Sequence, residues 1–70
     1  MDVHELRVAI GVKIRDRRRR MKLTQEKLAE RLRFTSNYVA HLERGSRGMS
    51  LKSLLALAQA LRCRPRDLLS

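Results

Sequence analysis

The sequence predicts an all-α fold, a compact bundle of five helices forming one domain over residues 1–70, and three observations carry that expectation. Apolar residues recur at i, i+3 and i+4 through most of the chain, while the strict alternation of a β-strand never persists. Asp2, Thr24, Thr35 and Ser50 stand just ahead of apolar segments, where a side-chain oxygen can cap the free N–H groups of a helix. Breakers are scarce, 1 Pro and 3 Gly, and no internal repeat of about 20 residues or more is visible.

Asp2 with Glu5 forms a capping box for a first helix whose buried face would include Val3, Leu6, Ile10, Ile14 and Met21. Val8 and Val12 make it apolar on more than one side. Gly11 costs about 1 kcal/mol relative to Ala inside a helix, so it marks either close packing or a true start nearer Val8. Arg17 to Arg20, with Lys22, form a charge run with two readings. Cations suit the last turn of a helix, and residues sweeping about 100° each cannot all face one ligand. Either one or two of them reach a phosphate and the rest are solvated, or all are.

Thr24 caps a second helix, with Leu23 and Leu28 as its hydrophobic staple and Leu28, Ala29 and Leu32 on one face. Thr35 repeats the arrangement for a third, with Phe34 and Val39 as staple and Tyr38, Val39 and Leu42 as the inner stripe. So short a connection forces a sharp angle, and Ala29 is small enough to let the two helices approach: a helix-turn-helix. Gly45, Ser46 and Gly48 mark a loop, with Gly45 placed as the left-handed residue that closes the third helix. Ser50 caps a fourth, with Met49 and Leu54 as staple and Leu51, Leu54, Leu55, Ala58 and Leu61 as core stripe. Pro65 opens a short fifth helix through Leu69, with Cys63 and Leu68 as staple, so Cys63 reads as a small buried apolar residue rather than a reactive thiol.

Seventeen Lys and Arg against seven Asp and Glu give a formal charge of +10, a strong prior for a polyanionic partner, nucleic acid first. One cysteine excludes an intrachain disulfide and a cysteine-based zinc site, and fits a reducing, cytoplasmic setting. Two distant histidines do not make a metal site, and no cofactor is expected. No apolar run approaches the roughly 18 residues of a membrane span, and Asp2 is unlike a basic signal-peptide start. An enzyme is not expected, since no Ser-His-Asp grouping, carboxylate pair or phosphate-cradling loop emerges; Glu26 and Glu30, beside Lys27 and Arg31, read as a solvated face.

Gln25, Ala29, Val39 and Leu42, followed by Glu43-Arg44-Gly45, resemble the helix-turn-helix of the phage Cro and repressor family of transcriptional regulators. The resemblance extends through Ile14-Arg15-Asp16-Arg17-Arg18 upstream, and through Ser50 to Leu61 and Pro65-Arg66-Asp67-Leu68-Leu69 downstream. Within the family, Tyr38-Val39 and the run from Glu43 to Leu51 most resemble the small controller proteins of restriction-modification systems. The resemblance implies a lambda-repressor-like DNA-binding domain, a first helix starting near Gly11, and a structural ion pair between Arg18 and Glu43. It also marks two departures: Arg33 stands at the usual turn glycine, and Arg62 and Arg64 replace the glycine and capping hydroxyl before the fifth helix.

In a helix-turn-helix the second helix enters the major groove while the first crosses the backbone. Here that recognition helix is expected at about residues 35–44, and Ser36, Asn37, Ala40 and His41, opposite Val39 and Leu42, are the base-contact candidates. Asn37 can pair with adenine N6 and N7, Ser36 can donate or accept, Ala40 can meet a thymine methyl, and His41 a base edge or a phosphate. Gln25 can offer its side-chain amide and helix N-terminal N–H groups to a phosphate, a use the resemblance also implies. Lys27, Arg44 and Arg47 are further phosphate candidates. Tyr38 is either core or a phosphate contact through its hydroxyl, the second favoured because its ring can pack while its oxygen reaches out. For Ser36, Asn37, Ala40 and His41 the plain alternative is a polar surface residue.

The resemblance implies binding as a two-fold dimer on an inverted repeat. An apolar excess in the last third points to Leu51, Leu55, Leu68 and Leu69 as the dimer interface, although all of them could be core. The expected function is thus a sequence-specific regulator of transcription on double-stranded DNA, without a small-molecule effector. An antitoxin-type autoregulator and a non-specific basic protein coating nucleic acid are the alternatives.

Overall fold

Asp2, Thr24, Thr35 and Ser50 each accept a hydrogen bond from the backbone N–H three residues on, at Glu5, Lys27, Tyr38 and Ser53, and each opens a helix. The computed structural model describes residues 1–69, and the helices follow as α1 (Val3–Arg20), α2 (Gln25–Leu32), α3 (Ser36–Arg44), α4 (Leu51–Ala60) and α5 (Pro65–Leu69). No strand occurs among the described residues. At α5 the missing hydroxyl cap is replaced from inside the helix: the Arg64 N–H donates to Asp67 Oδ2 at 2.9 Å. That bond, ahead of the charges of Arg64, Arg17 and Arg66, holds the Asp67 carboxyl below its usual range.

The first four helices share one ending. Two backbone N–H groups reach back past a left-handed residue, as in Phe34 to Ala29 O at 2.9 Å beside Arg33 to Glu30 O at 3.3 Å. The left-handed residues are Lys22, Arg33, Gly45 and Arg62, so only one of these endings uses glycine. Arg33 and Arg62 therefore occupy the glycine positions in the glycine conformation, each at a cost of about 1 kcal/mol.

The core joins every helix: Ile10 and Ile14 of α1, Leu28 and Ala29 of α2, Val39 and Leu42 of α3, Leu54, Leu57 and Ala58 of α4, and Leu68 of α5. Leu61, just past α4, completes it. On α1 the buried line is Ile10, Gly11, Ile14 and Arg18, with Met21 packed at its margin. Val3 and Leu6, expected on that line, are exposed, whereas Arg7 and Val8 lie against Gly48 and Gly45. Gly11 resolves to close packing: a Cβ there would lie 2.6 Å from the Leu42 carbonyl oxygen and closer still to that of Glu43. The helix nevertheless starts at Val3, well before the start near Gly11 that the resemblance implied.

On α4 the inner line is Leu54, Leu57, Ala58 and Leu61. Leu51 and Leu55, expected in the core stripe, are instead 84% and 49% exposed. Leu68, expected at an interface with a second subunit, is 1% exposed and fills the chain's own core, so it has no surface to offer a partner. Cys63 is half-buried against the core, and burial pushes its thiol up, away from the reactive thiolate.

Candidate nucleic-acid interface

The geometry of α3 follows from how it is fastened. Val39 and Leu42 are fully buried, and Phe34, ahead of the cap, packs edge-on against Tyr38 with ring centroids 5.0 Å apart. At the other end Glu43 is turned inward, where Arg18 Nε donates to Oε2 at 2.6 Å and Arg18 Nη2 to Oε1 at 3.0 Å. Arg18 also donates to the Leu23 carbonyl at 2.8 Å, so the same guanidinium ties the α1–α2 connection, just ahead of the Thr24 cap, to α3. Burial pushes the Glu43 carboxyl up, but the hydrogen bonds from Arg18 and Gln25 and the charges of Arg18 and Arg15 outweigh it and leave the group below its usual range.

With its inner face so occupied, α3 presents Ser36 and Asn37 to solvent, with Ala40 and His41 half-buried one turn further on. His41 Nδ1 lies 2.8 Å from Ser46 Oγ and 3.4 Å from Arg44 Nη2, which anchors the ring at the C-terminal end of the helix and leaves Nε2 without a hydrogen bond among the described residues. Arg47 places its guanidinium carbon 5.2 Å from the Tyr38 ring centroid, so these two residues form one unit at the edge of the helix. Arg44 and Lys27 are exposed, and Lys27 keeps a loose contact with Glu30 at 3.7 Å.

Gln25 differs from expectation. Its side-chain Nε2 donates to Glu43 Oε1 at 3.1 Å, so that hydrogen of the amide is committed to the buried carboxylate. What α2 offers an anion most directly is its backbone: Thr24 caps only the Lys27 N–H, and the N–H groups of Gln25 and Glu26 have no partner within the helix.

Two cations not singled out from the sequence join the site. Arg7 lies against Gly48, whose Cβ, if present, would come within 2.7 Å of Nη2, so Arg7 flanks the loop that carries Arg47. Arg15 Nε lies 3.5 Å from Glu43 Oε1. Neither stands out among 17 Lys and Arg, because only the crossing of α1 over α3 brings them there.

Two short helices at a sharp turn, with the second held by its inner face and ringed by cations, define a helix-turn-helix DNA-binding domain. Residues 14–68 match the family model described as helix-turn-helix, and the chain belongs to that family, the DNA-binding transcriptional regulators related to phage Cro and repressor. Among curated relatives it is 34% identical to control protein C.BamHI of Bacillus amyloliquefaciens, over 94% of this chain and 83% of that protein. It is similar to the crystal structure of the restriction-modification controller protein C.AhdI from Aeromonas hydrophila, with a TM-score of 0.90 and 38% identity over 97% of this chain and 99% of that one. It is also similar to the P22 c2 repressor, solved in complex with synthetic operator 9T, with a TM-score of 0.82 and 33% identity over 87% and 92% of the two chains. Among the described residues no helix is long and apolar enough to cross a membrane, and no group of three or more His, Cys, Asp or Glu gathers as for a metal ion.

Proposed function

We propose that the chain is a sequence-specific regulator of transcription that binds an inverted-repeat operator as a homodimer, one α3 in each of two successive major grooves. The observation that carries this reading is the split of α3 into a buried face and an exposed polar face bearing Ser36 and Asn37. A rod immobilised on one side and open on the other can hold side chains at base edges without ordering them first. Asn37 addresses adenine, Ser36 and His41 supply further polar contacts, and Ala40 meets a thymine methyl. Arg44, Arg47, Lys27, the Tyr38 hydroxyl and the N-terminal N–H groups of α2 at Gln25 hold the phosphates, with Arg7 added at the loop end.

Of the residues expected at an interface, the exposed Leu51 and Leu55, one turn apart on α4, and the exposed Leu69 remain for a two-fold contact. The likeness to controller proteins supports a regulator of transcription that works in the cytoplasm. Selection of bound duplexes from a random pool, in excess unspecific DNA, tests the reading: enrichment of one inverted repeat is expected, and no enrichment would mean a basic protein that coats nucleic acid.

A further inference from the structure

Arg31, Arg33 and Arg62 surround a cleft of about 490 Å³ between the C-terminal ends of α2 and α4, walled on its apolar side by Leu32, Ala56 and Ala60. Among the described residues none of these three guanidiniums pairs with a carboxylate, as is true of most arginines in this chain. Three unpartnered cations around one opening repel one another, and an anion between them removes that repulsion. Two of the three are set by the backbone. Arg33 and Arg62, both at φ 57°, occupy left-handed positions that glycine would fill at no steric cost. Each lies in the turn that closes its helix, and both turns flank the cleft.

We propose that this cleft binds a polyphosphate group, such as that of a nucleoside polyphosphate. A guanidinium offers paired N–H donors that match phosphate oxygens, and three of them suit a chain of phosphates better than a single carboxylate. The volume lies within the roughly 300–1,000 Å³ of small-molecule sites, and Leu32, Ala56 and Ala60 give a base or ribose an apolar wall. The cleft stands at the end of α2 remote from Gln25, next to the turn in which the Phe34 N–H bonds to the Ala29 carbonyl. An occupant there braces the joint from which α3 departs. Such binding is independent of the operator and is tested without DNA.

Thermal unfolding of the full chain in about 0.15 M salt, with sodium tripolyphosphate, ATP or neither, decides it. The variants are R33G/R62G, which removes two guanidiniums and relieves two left-handed residues, and R44A/R47A, which discharges the α3 edge. At about a hundredfold excess over Kd, tripolyphosphate should raise Tm by about 11–22 °C in the wild type and in R44A/R47A, and by less than about a third of that in R33G/R62G. A larger rise with ATP assigns the nucleotide as source, and an equal one the inorganic chain. No rise, an equal rise in R33G/R62G, or loss of the rise in R44A/R47A overturns the proposal. The second result means diffuse screening of the surface charge, and the third places the anion on α3.

Discussion

Arg18 of α1 and Glu43 of α3 are bound by two hydrogen bonds of 2.6 and 3.0 Å while only 8% and 3% exposed, so the end of α3 is fixed by a buried, fully partnered ion pair. Removing one member strands the other charge. Arg18→Met should destabilise the fold by about 3 kcal/mol, the lower end for a broken buried pair, because Arg15 and Gln25 still face the carboxylate. The double variant Arg18→Met/Glu43→Leu should recover much of that loss. Urea unfolding of the single and double variants measures both.

Acid should act through the same carboxylate. Glu43 is held below the usual glutamate value, so its contribution is complete above that value, about 4.3, and is lost as pH falls through the lower folded one. The stability of the wild type should therefore decline with acid below about pH 4.3 more steeply than that of Glu43→Gln, which starts lower and stays flatter. Parallel slopes in acid-unfolding series would rule this linkage out.

Gly11→Ala tests the helix crossing. In an exposed helix the change would stabilise by about 1 kcal/mol, but here the new methyl meets the backbone carbonyls of Leu42 and Glu43, which cannot swing aside. A net loss of about 1–3 kcal/mol in denaturant unfolding is expected, accompanied by weaker operator binding as α3 shifts.

On the outer face, side chains that read bases should separate from those that hold phosphates. Asn37→Ala should cost about 1–3 kcal/mol on the preferred operator and relax the preference at one base pair. Arg47→Ala should weaken all duplexes alike and make the log–log salt slope shallower by about 0.9 for every phosphate that a subunit no longer neutralises. Binding titrations at several salt concentrations, on matched and mismatched duplexes, distinguish them. An unchanged preference in Asn37→Ala would mean that α3 docks differently.

Leu51→Glu/Leu55→Glu should leave the monomer folded, since both side chains face solvent, yet abolish the proposed dimer. Sedimentation equilibrium with circular dichroism reads the two effects separately. A dimer that survives the change must be formed elsewhere.

The helix starts were legible because a cap is a local matter: a hydroxyl or carboxylate, its N–H three residues on, and an apolar staple lie within six residues. The helix ends were harder, since a left-handed Arg33 or Arg62 carries no glycine to announce it; only the family pattern marked those positions. Which apolar residues are buried was legible on α2 and α3, whose polar faces are distinct. It failed at Val3 and Leu6, which are exposed near the start of α1, and at Leu51, Leu55 and Leu57 of α4, which is apolar nearly all round and so has no preferred face until its neighbours choose one. At the site, residue type indicated which side chains suit DNA, but not that Gln25 would turn toward Glu43 or that Arg7 would arrive from the other end of the chain's first helix.

The glycine-to-carbonyl crossing of α1 over α3 joins main chain to main chain, and the pair beside it lies wholly behind the rod. Orientation is thereby uncoupled from readout. Positions 36 and 37, the exposed residues proposed to read bases, can be rewritten without loosening the mount, which makes this face a natural place to graft altered specificity onto an unchanged scaffold.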